Sequence, residues 1–204
     1  MLAVISVFLI LGFTSILIRS SSAKSEKHNE ESARTFWEKE RDANFVRKKD
    51  ISNLPYITIP LDTLPFHDTD NSNITMYQDT IKKLAEKKIL NLSNQTNTEL
   101  KLQYGAANLP FLMDCDTRYT ELIKTLQLWG KTLFDSNNPQ DAKIVLEFAI
   151  ACKTDIAASY SLLGDIYALT NNTEQIKSLL ESAKEINSPR KNNIISHLEN
   201  ILCK

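Results

Sequence analysis

Two of the four glycines, Gly130 and Gly164, mark a repeat in this chain. The residues that follow each glycine at equal distances correspond, Ala142, Leu146 and Ala149 after the first and Ile176, Leu180 and Ala183 after the second. We call the distance along the chain from Gly130 to Gly164 the repeat interval. A fixed interval of this length predicts stacked supersecondary units, because each unit buries its apolar face against its neighbours. We therefore expect a helical array in this part of the chain.

The second copy reads Tyr160-x-x-Leu163-Gly164-x-x-Tyr167, and the first reads Leu126-x-x-Trp129-Gly130-x-x-Leu133. These copies resemble the tetratricopeptide pattern W-x-x-L-G-x-x-Y, which continues with a large apolar residue, a small residue and a proline and recurs about every 34 residues. The resemblance covers about residues 123–190 as two divergent units, with Ile176 where the family has a small residue. It implies a right-handed array of antiparallel helical hairpins. Two unrelated amphipathic hairpins that align by chance are the alternative.

The resemblance also assigns roles to residues. The helices of each hairpin would pack through Trp129, Gly130, Ala142, Leu146, Ala149, Tyr160, Leu163, Gly164, Tyr167, Leu180, Ala183 and Pro189. The first helices would line a partner groove with Lys124, Gln127, Lys131, Phe134, Ser161, Asp165 and Leu169. Because Asp165 would repel a partner's C-terminal carboxylate, an extended apolar segment is the favoured ligand.

Two units are too few, since a solenoid needs at least about three to bury a continuous core. The apolar spacing of Ile74–Leu90 predicts a helix, and a second helix is expected to open with Asn97 or Thr98 as its cap and to end or kink at Pro110. This upstream hairpin would supply one more unit, and Arg190–Lys204 would be a cap helix. With only four glycines in 204 residues, composition also favours an all-α fold, with residues 74–204 as a helical-repeat domain.

The N-terminal segment Met1–Ile18 carries no charged side chain and is apolar on every helical face. As a helix it would be about 27 Å long, close to the thickness of a bilayer core, so we expect a single-pass membrane anchor. The nearby basic residues all follow the segment, which predicts a cytoplasmic C-terminal domain. The alternative is a signal peptide cleaved near Ala23, which would make the protein secreted.

Three segments are expected between the anchor and the array. Residues 19–32 are predicted to be a polar linker and Ala33–Lys49 a juxtamembrane helix. The basic run at its end, residues 47–49, either touches anionic lipid headgroups or is an ordinary helix end. Residues 50–73 contain an apolar strip, Leu54–Pro65, whose three prolines bar a helix. It is too hydrophobic to stay exposed, and it is expected to pack on its own chain as core or as a displaceable plug, or else to be a linker.

No constellation for catalysis is found in the sequence. The three cysteines, Cys115, Cys152 and Cys203, are far apart and predicted to be free thiols, and the three histidines show no metal-ligand spacing. Asp114 and Asp116 would raise the pKa of the Cys115 thiol and suit a helix N-cap better than a nucleophilic site. We expect no enzyme, cofactor or metal. The formal net charge of −1 also argues against nucleic acid as a partner.

These features predict a membrane-anchored, non-catalytic adaptor, scaffold or assembly protein that binds a polypeptide through a helical-repeat groove. One alternative is a regulatory or sensory membrane protein that self-associates through its juxtamembrane helix. The other is a secreted surface structural protein.

Overall fold

A computed structural model describes residues 31–203, and this part of the chain is all-helical, with no strand. The helices are α1 (31–44), α2 (Ser72–Ala85), α3 (Asn97–Tyr104), α4 (Leu109–Asp135), α5 (Pro139–Ala151), α6 (Ala157–Leu169), α7 (Thr173–Glu185) and α8 (Lys191–Leu202), with a 3-10 turn over Ala106–Asn108. The predicted membrane anchor Met1–Ile18 and nearly all of the predicted linker lie outside the described residues. From residue 31 to residue 203, no helix combines the length and the apolar character needed to cross a bilayer.

The chain divides into two compact units. Within the described range, the first unit consists of residues 31–49 and 96–109. Glu40 on α1 accepts hydrogen bonds from Thr98, at 2.7 Å, and from Lys101, both on α3. The helix expected over Ala33–Lys49 ends at residue 44, where the N–H groups of Phe45 and Val46 donate to carbonyls three residues back, and the N–H of Lys49 donates to the carbonyl of Tyr104 at 3.0 Å.

The start of α3 differs by one residue from the expected caps. Thr96 is the cap: its hydroxyl accepts from the N–H of Glu99, and the Glu99 carboxylate accepts from the N–H of Thr96 at 2.7 Å. This reciprocal pair is a capping box, which uses a threonine and a glutamate three residues later. Pro110 neither ends nor kinks a helix, because it lies in the first turn of α4, where its missing N–H leaves no bond unmade.

The second unit consists of residues 50–95 and the chain from Pro110 onward. The strip Leu54–Pro65 is not helical, and it packs on this unit. Ile59 and Leu64 belong to the same buried cluster as Ile81 and Trp129, and the N–H of Ile57 donates to the carbonyl of Ile89 at 2.9 Å. This bond lies beyond the end of α2, which stops at Ala85, before the expected end at Leu90. The strip is therefore part of the unit's interior.

The helix boundaries of the second unit recur with the period of the sequence repeat. One repeat interval separates the end of α4 from the end of α6, and the start of α6 from the start of α8. The same interval separates both the starts and the ends of α5 and α7. In this series α6 packs against α5, α7 and α8, and α7 packs against α8. The arrangement is compatible with a helical repeat array.

The turns that follow α4 and α6 also recur. Asn137 and Asn171, which are again one repeat interval apart, both have positive φ, 61° and 52°. In each turn the next residue donates its N–H back across the helix end, Asn138 to the Leu133 carbonyl and Asn172 to the Tyr167 carbonyl, both at 2.9 Å. Asparagine tolerates this left-handed conformation better than most residues, so the same residue type ends both helices in the same way.

Candidate partner-binding surface

The residues predicted to pack the hairpins lie in the core of the second unit. All are buried except Leu180, which is half-buried, and Pro189, which is exposed. The two glycines allow close contacts, but with different partners. A Cβ built on Gly130 would lie 2.7 Å from Cγ of Leu146 on α5, whereas one built on Gly164 would lie 2.5 Å from Cδ2 of Leu198 on α8. Both partners are leucines, whereas the tetratricopeptide resemblance implies a small residue opposite each glycine.

The predicted groove residues on α4 share one helix face, since they are spaced three, four and three residues apart. Lys124 and Lys131 are exposed, Gln127 is half-buried, and Phe134 is half-buried against the core. Lys131 forms an ion pair with Asp135 at 2.6 Å, and both side chains are 56% exposed. An exposed pair of this kind adds little stability, so Lys131 can exchange it for a partner's charge.

On α6 the predicted groove residues follow at intervals of four. Ser161 is half-buried, Asp165 is exposed and Leu169 is 69% exposed, which makes Leu169 one of the most accessible apolar side chains of the second unit. Asp165 is in contact with α8, because its Oδ1 lies 3.1 Å from Nε2 of His197. The structure therefore brings α6 and α8 together at this face. Lys131 and Asp165 occupy equivalent repeat positions and are both exposed.

A concave surface that sequence reasoning missed lies between residues 89–95 and the turn from α5 to α6. Two neighbouring cavities of about 390 Å³ each share Asn91, Asn94, Ala151 and Lys153 as lining residues. One has an apolar wall that includes Ile57 and Leu92, and the other has carboxylates of residues 155 and 185. No local motif signals this cleft, because its walls come from four separate segments.

Tyr160 is a buried polar residue in the wall of the cavity that carries the two carboxylates. Its hydroxyl donates to the carbonyl of Thr154 at 3.1 Å. Burial raises the pKa of Tyr160 to about 12, and the negative charges of Asp155 and Glu185 add to this effect. Asp155 and Glu185 line this cavity together with Lys153, so its wall carries charges of both signs. An apolar wall beside a charged one suits an extended peptide that carries charged side chains.

The cysteines and histidines are dispersed. Cys115 and Cys152 are buried free thiols, and Cys203 is an exposed one. Burial raises the pKa of Cys115, with a smaller contribution in the same direction from Asp114. Asp114 and Asp116 lie within α4 and are not caps, and Asp116 accepts the N–H of Leu92 at 2.9 Å. Residues 31–203 contain no group of three or more potential metal ligands.

Comparisons with protein-family models, curated proteins and solved structures found no match.

Proposed function

We propose that this protein is a membrane-attached, non-catalytic adaptor that holds a polypeptide on a tetratricopeptide-like array formed by α4 to α8. The recurrence of helix boundaries at the repeat interval is the observation that carries the proposal. This is the period of the tetratricopeptide hairpin, a pair of antiparallel helices. Stacks of such hairpins present a concave surface that binds polypeptides, and they are not catalytic by themselves. Met1–Ile18 would supply the membrane attachment and leave the array in the cytoplasm.

In this proposal α8 occupies the place of the first helix of a third unit. It begins one repeat interval after the start of α6 and packs against both α6 and α7, as the first helix of a following hairpin would. The α8 residues that remain exposed are polar, namely Asn192, Asn193, Ser196, Glu199 and Asn200. A polar outer face allows α8 to remain in contact with water.

The binding surface in this proposal, called the α4–α6 face, consists of the exposed residues Lys131 on α4 and Asp165 on α6, which occupy equivalent repeat positions, and of Leu169 as an apolar contact. The strip bonds to Ile89, and its residues Ile59 and Leu64 belong to the core cluster. The proposal therefore assigns the α4–α6 face to a separate polypeptide. Alternating lysine, aspartate and leucine side chains favour a partner with both charges and at least one apolar anchor.

Site-specific photo-crosslinking in cells tests this assignment. A crosslinking amino acid is placed at residue 131 or 165, and the control position is Lys177, an exposed residue of α7. We expect the same polypeptide to be captured from 131 and 165 but not from 177. Charge reversal, Lys131→Glu, should weaken capture from 165. Different products at 131 and 165, or equal capture from all three positions, would contradict the proposal.

The cleft between residues 89–95 and the α5–α6 turn is a second candidate for the binding surface, because it is concave and carries two carboxylates. Asp155→Asn with Glu185→Gln would remove its negative charge without altering the α4–α6 face. If these changes abolish capture and Lys131→Glu does not, the cleft is the binding surface.

A further inference from the structure

The first unit exposes more aromatic surface than a solvated helix needs. Phe36, Trp37 and Phe45 are 51%, 66% and 81% exposed, and Leu102 on α3 is 37% exposed. The rings of Phe36 and Trp37 meet edge to face, with centroids 5.4 Å apart. Single exposed apolar side chains are ordinary, but two exposed aromatic rings in contact, with a third in the same small unit, favour an interaction surface. Aromatic rings, and tryptophan above all, favour the boundary between lipid and water.

The charge that remains unmatched in this unit is mainly positive. Three of the four acidic side chains of α1 have basic partners, since Arg34 pairs with Glu38 at 3.2 Å, Arg41 with Asp42 at 3.6 Å, and Lys101 with Glu40. After α1, Arg47, Lys48 and Lys49 follow one another directly, and all three are exposed. Basic residues beside exposed aromatic rings suit an anionic, partly apolar surface.

The length of the chain between Met1–Ile18 and the first unit also limits how far the first unit can lie from a bilayer that holds Met1–Ile18. Twelve residues, 19–30, separate the charge-free segment Met1–Ile18 from the first described residue. Twelve residues span at most about 40 Å when fully extended. If Met1–Ile18 lies in a bilayer, the start of α1 therefore lies within about 40 Å of the headgroups, and the aromatic residues of α1 can reach them.

We propose that the exposed aromatic residues of α1 and the basic residues 47–49 rest on the surface of an anionic bilayer, so that the first unit lies against the membrane. This inference depends on the membrane attachment in the proposed function. A second copy of the chain is a poorer occupant. In a symmetric dimer the same patch forms both sides of the interface, which would bring the two basic runs together.

Tryptophan fluorescence of the full chain tests the inference, because the chain has only two tryptophans, Trp37 and Trp129. Trp129→Phe leaves Trp37 as the only reporter and removes no hydrogen bond, since the indole N–H of Trp129 has no partner in the structure. The variant is reconstituted in phosphatidylcholine vesicles with or without phosphatidylglycerol, with brominated lipids as quenchers. If Trp129→Phe does not fold, the loss of quenching between the wild type and Trp37→Phe gives the same information.

We expect brominated lipids to quench Trp37 and its emission to shift to the blue, more strongly when phosphatidylglycerol is present. The triple variant Arg47→Gln, Lys48→Gln and Lys49→Gln should lose the preference for phosphatidylglycerol. Each basic residue at an anionic surface shifts the ratio of membrane-bound to unbound first unit roughly fivefold. A control with the same change in charge, Lys83→Gln with Lys87→Gln and Lys177→Gln, should retain the preference.

Three results would overturn the inference. The first is no quenching in either lipid. The second is equal quenching in both lipids that the triple variant leaves unchanged. The third is a blue shift that increases with the amount of protein per vesicle but without lipid quenching, which would identify a second copy as the occupant. Carbonate extraction tests the attachment separately. If the chain is extracted, vesicles are added to the soluble chain, and the same quenching decides whether the first unit binds lipid.

Discussion

The ring of Phe66, which follows the strip Leu54–Pro65, lies 5.4 Å from the indole of Trp129 on α4, centroid to centroid. Trp129 is fully buried and occupies a core position of the repeat. The strip and the repeats therefore share one interior, and Ile59 and Leu64 of the strip belong to the same buried cluster. The strip stabilises the second unit from within the core.

Substitution in the strip should therefore lower the stability of the whole second unit. Ile59→Ala should lower the free energy of unfolding by about 2–5 kcal/mol, the usual cost of removing a buried isoleucine. Ile59→Asp should cost more, since it buries a charge without a partner. Urea denaturation followed by far-UV circular dichroism measures the change.

The exposed neighbour Thr58 provides the matched control, because Thr58→Asp adds the same charge one residue away on the outer side. We expect it to be nearly neutral. If Ile59→Asp leaves stability intact and strengthens partner binding, the strip is a displaceable plug.

The close contact at Gly164 predicts a second effect on stability. A Cβ at this position would lie 2.5 Å from Leu198 and 3.3 Å from Cδ1 of Ile201, so Gly164→Leu forces α6 and α8 apart. We expect a loss of about 1–3 kcal/mol or more, as in overpacked cores. Asp165→Asn, beside it, keeps an oxygen that can face His197 and should change stability little. Equal melting temperatures for the two variants would contradict this interpretation of the packing.

The helical period and the repeat were accessible from the sequence because both depend on local spacing. The interval between Gly130 and Gly164 is also the interval between the helix boundaries, and the Asn-Asn pairs at 137–138 and 171–172 mark equivalent turns. What faces each glycine was not accessible. It depends on which helix packs against each glycine. The structure places α5 against Gly130 and α8 against Gly164.

The candidate binding surfaces show the same limit. The exposure of Lys131 and Asp165 followed from their position in the repeat, but the contact between Asp165 and His197 joins residues 32 apart in sequence. The cleft at residues 89–95 was missed because Asn94, Lys153 and Glu185 meet only in the folded chain. The division of the chain was also missed, since Thr96–Leu109 belongs with the N-terminal residues and interrupts the second unit.

Gly105 should be essential for the first unit. Its φ of 91° is one that side-chain-bearing residues rarely adopt, and a Cβ there would lie 2.4 Å from the backbone oxygen of Arg47. A backbone atom cannot rotate aside, so Gly105→Ala should separate the 45–49 segment from α3. We expect faster amide hydrogen exchange at Lys49, whose N–H donates to Tyr104. Ala107→Gly, at an exposed position two residues on, is the control, and equal exchange in both variants would contradict the prediction.

The buried thiols predict which cysteines react. Cys115 and Cys152 are buried and Cys203 is exposed, and burial raises the pKa of Cys152 to about 12. Because the thiolate is the reactive form, a thiol reagent at neutral pH should label Cys203 alone in the native protein and all three cysteines after denaturation. Cys203→Ser should abolish native labelling. Rapid native labelling of Cys152 would show that the second unit opens near the end of α5.

Buried cysteine and tyrosine side chains determine how the stability of the second unit depends on alkaline pH. Burial raises the pKa of Cys152 from 9.0 and that of Tyr160 from 10.0, each to about 12, so the folded state keeps protons that the unfolded chain releases. These groups do not reduce stability below pH 9. As the pH rises from about 9 towards 12, the unfolded state ionises first and the free energy of unfolding falls. Burial also raises the pKa of Cys115, Tyr119 and Tyr167. Thermal melts across this range should show a falling melting temperature, and Cys152→Ala should make the fall shallower by removing one of these groups. Cys203→Ser, which alters an exposed thiol, should leave the slope unchanged. A melting temperature that stays constant up to pH 12 would show that the two side chains ionise as readily in the folded protein as in the unfolded chain.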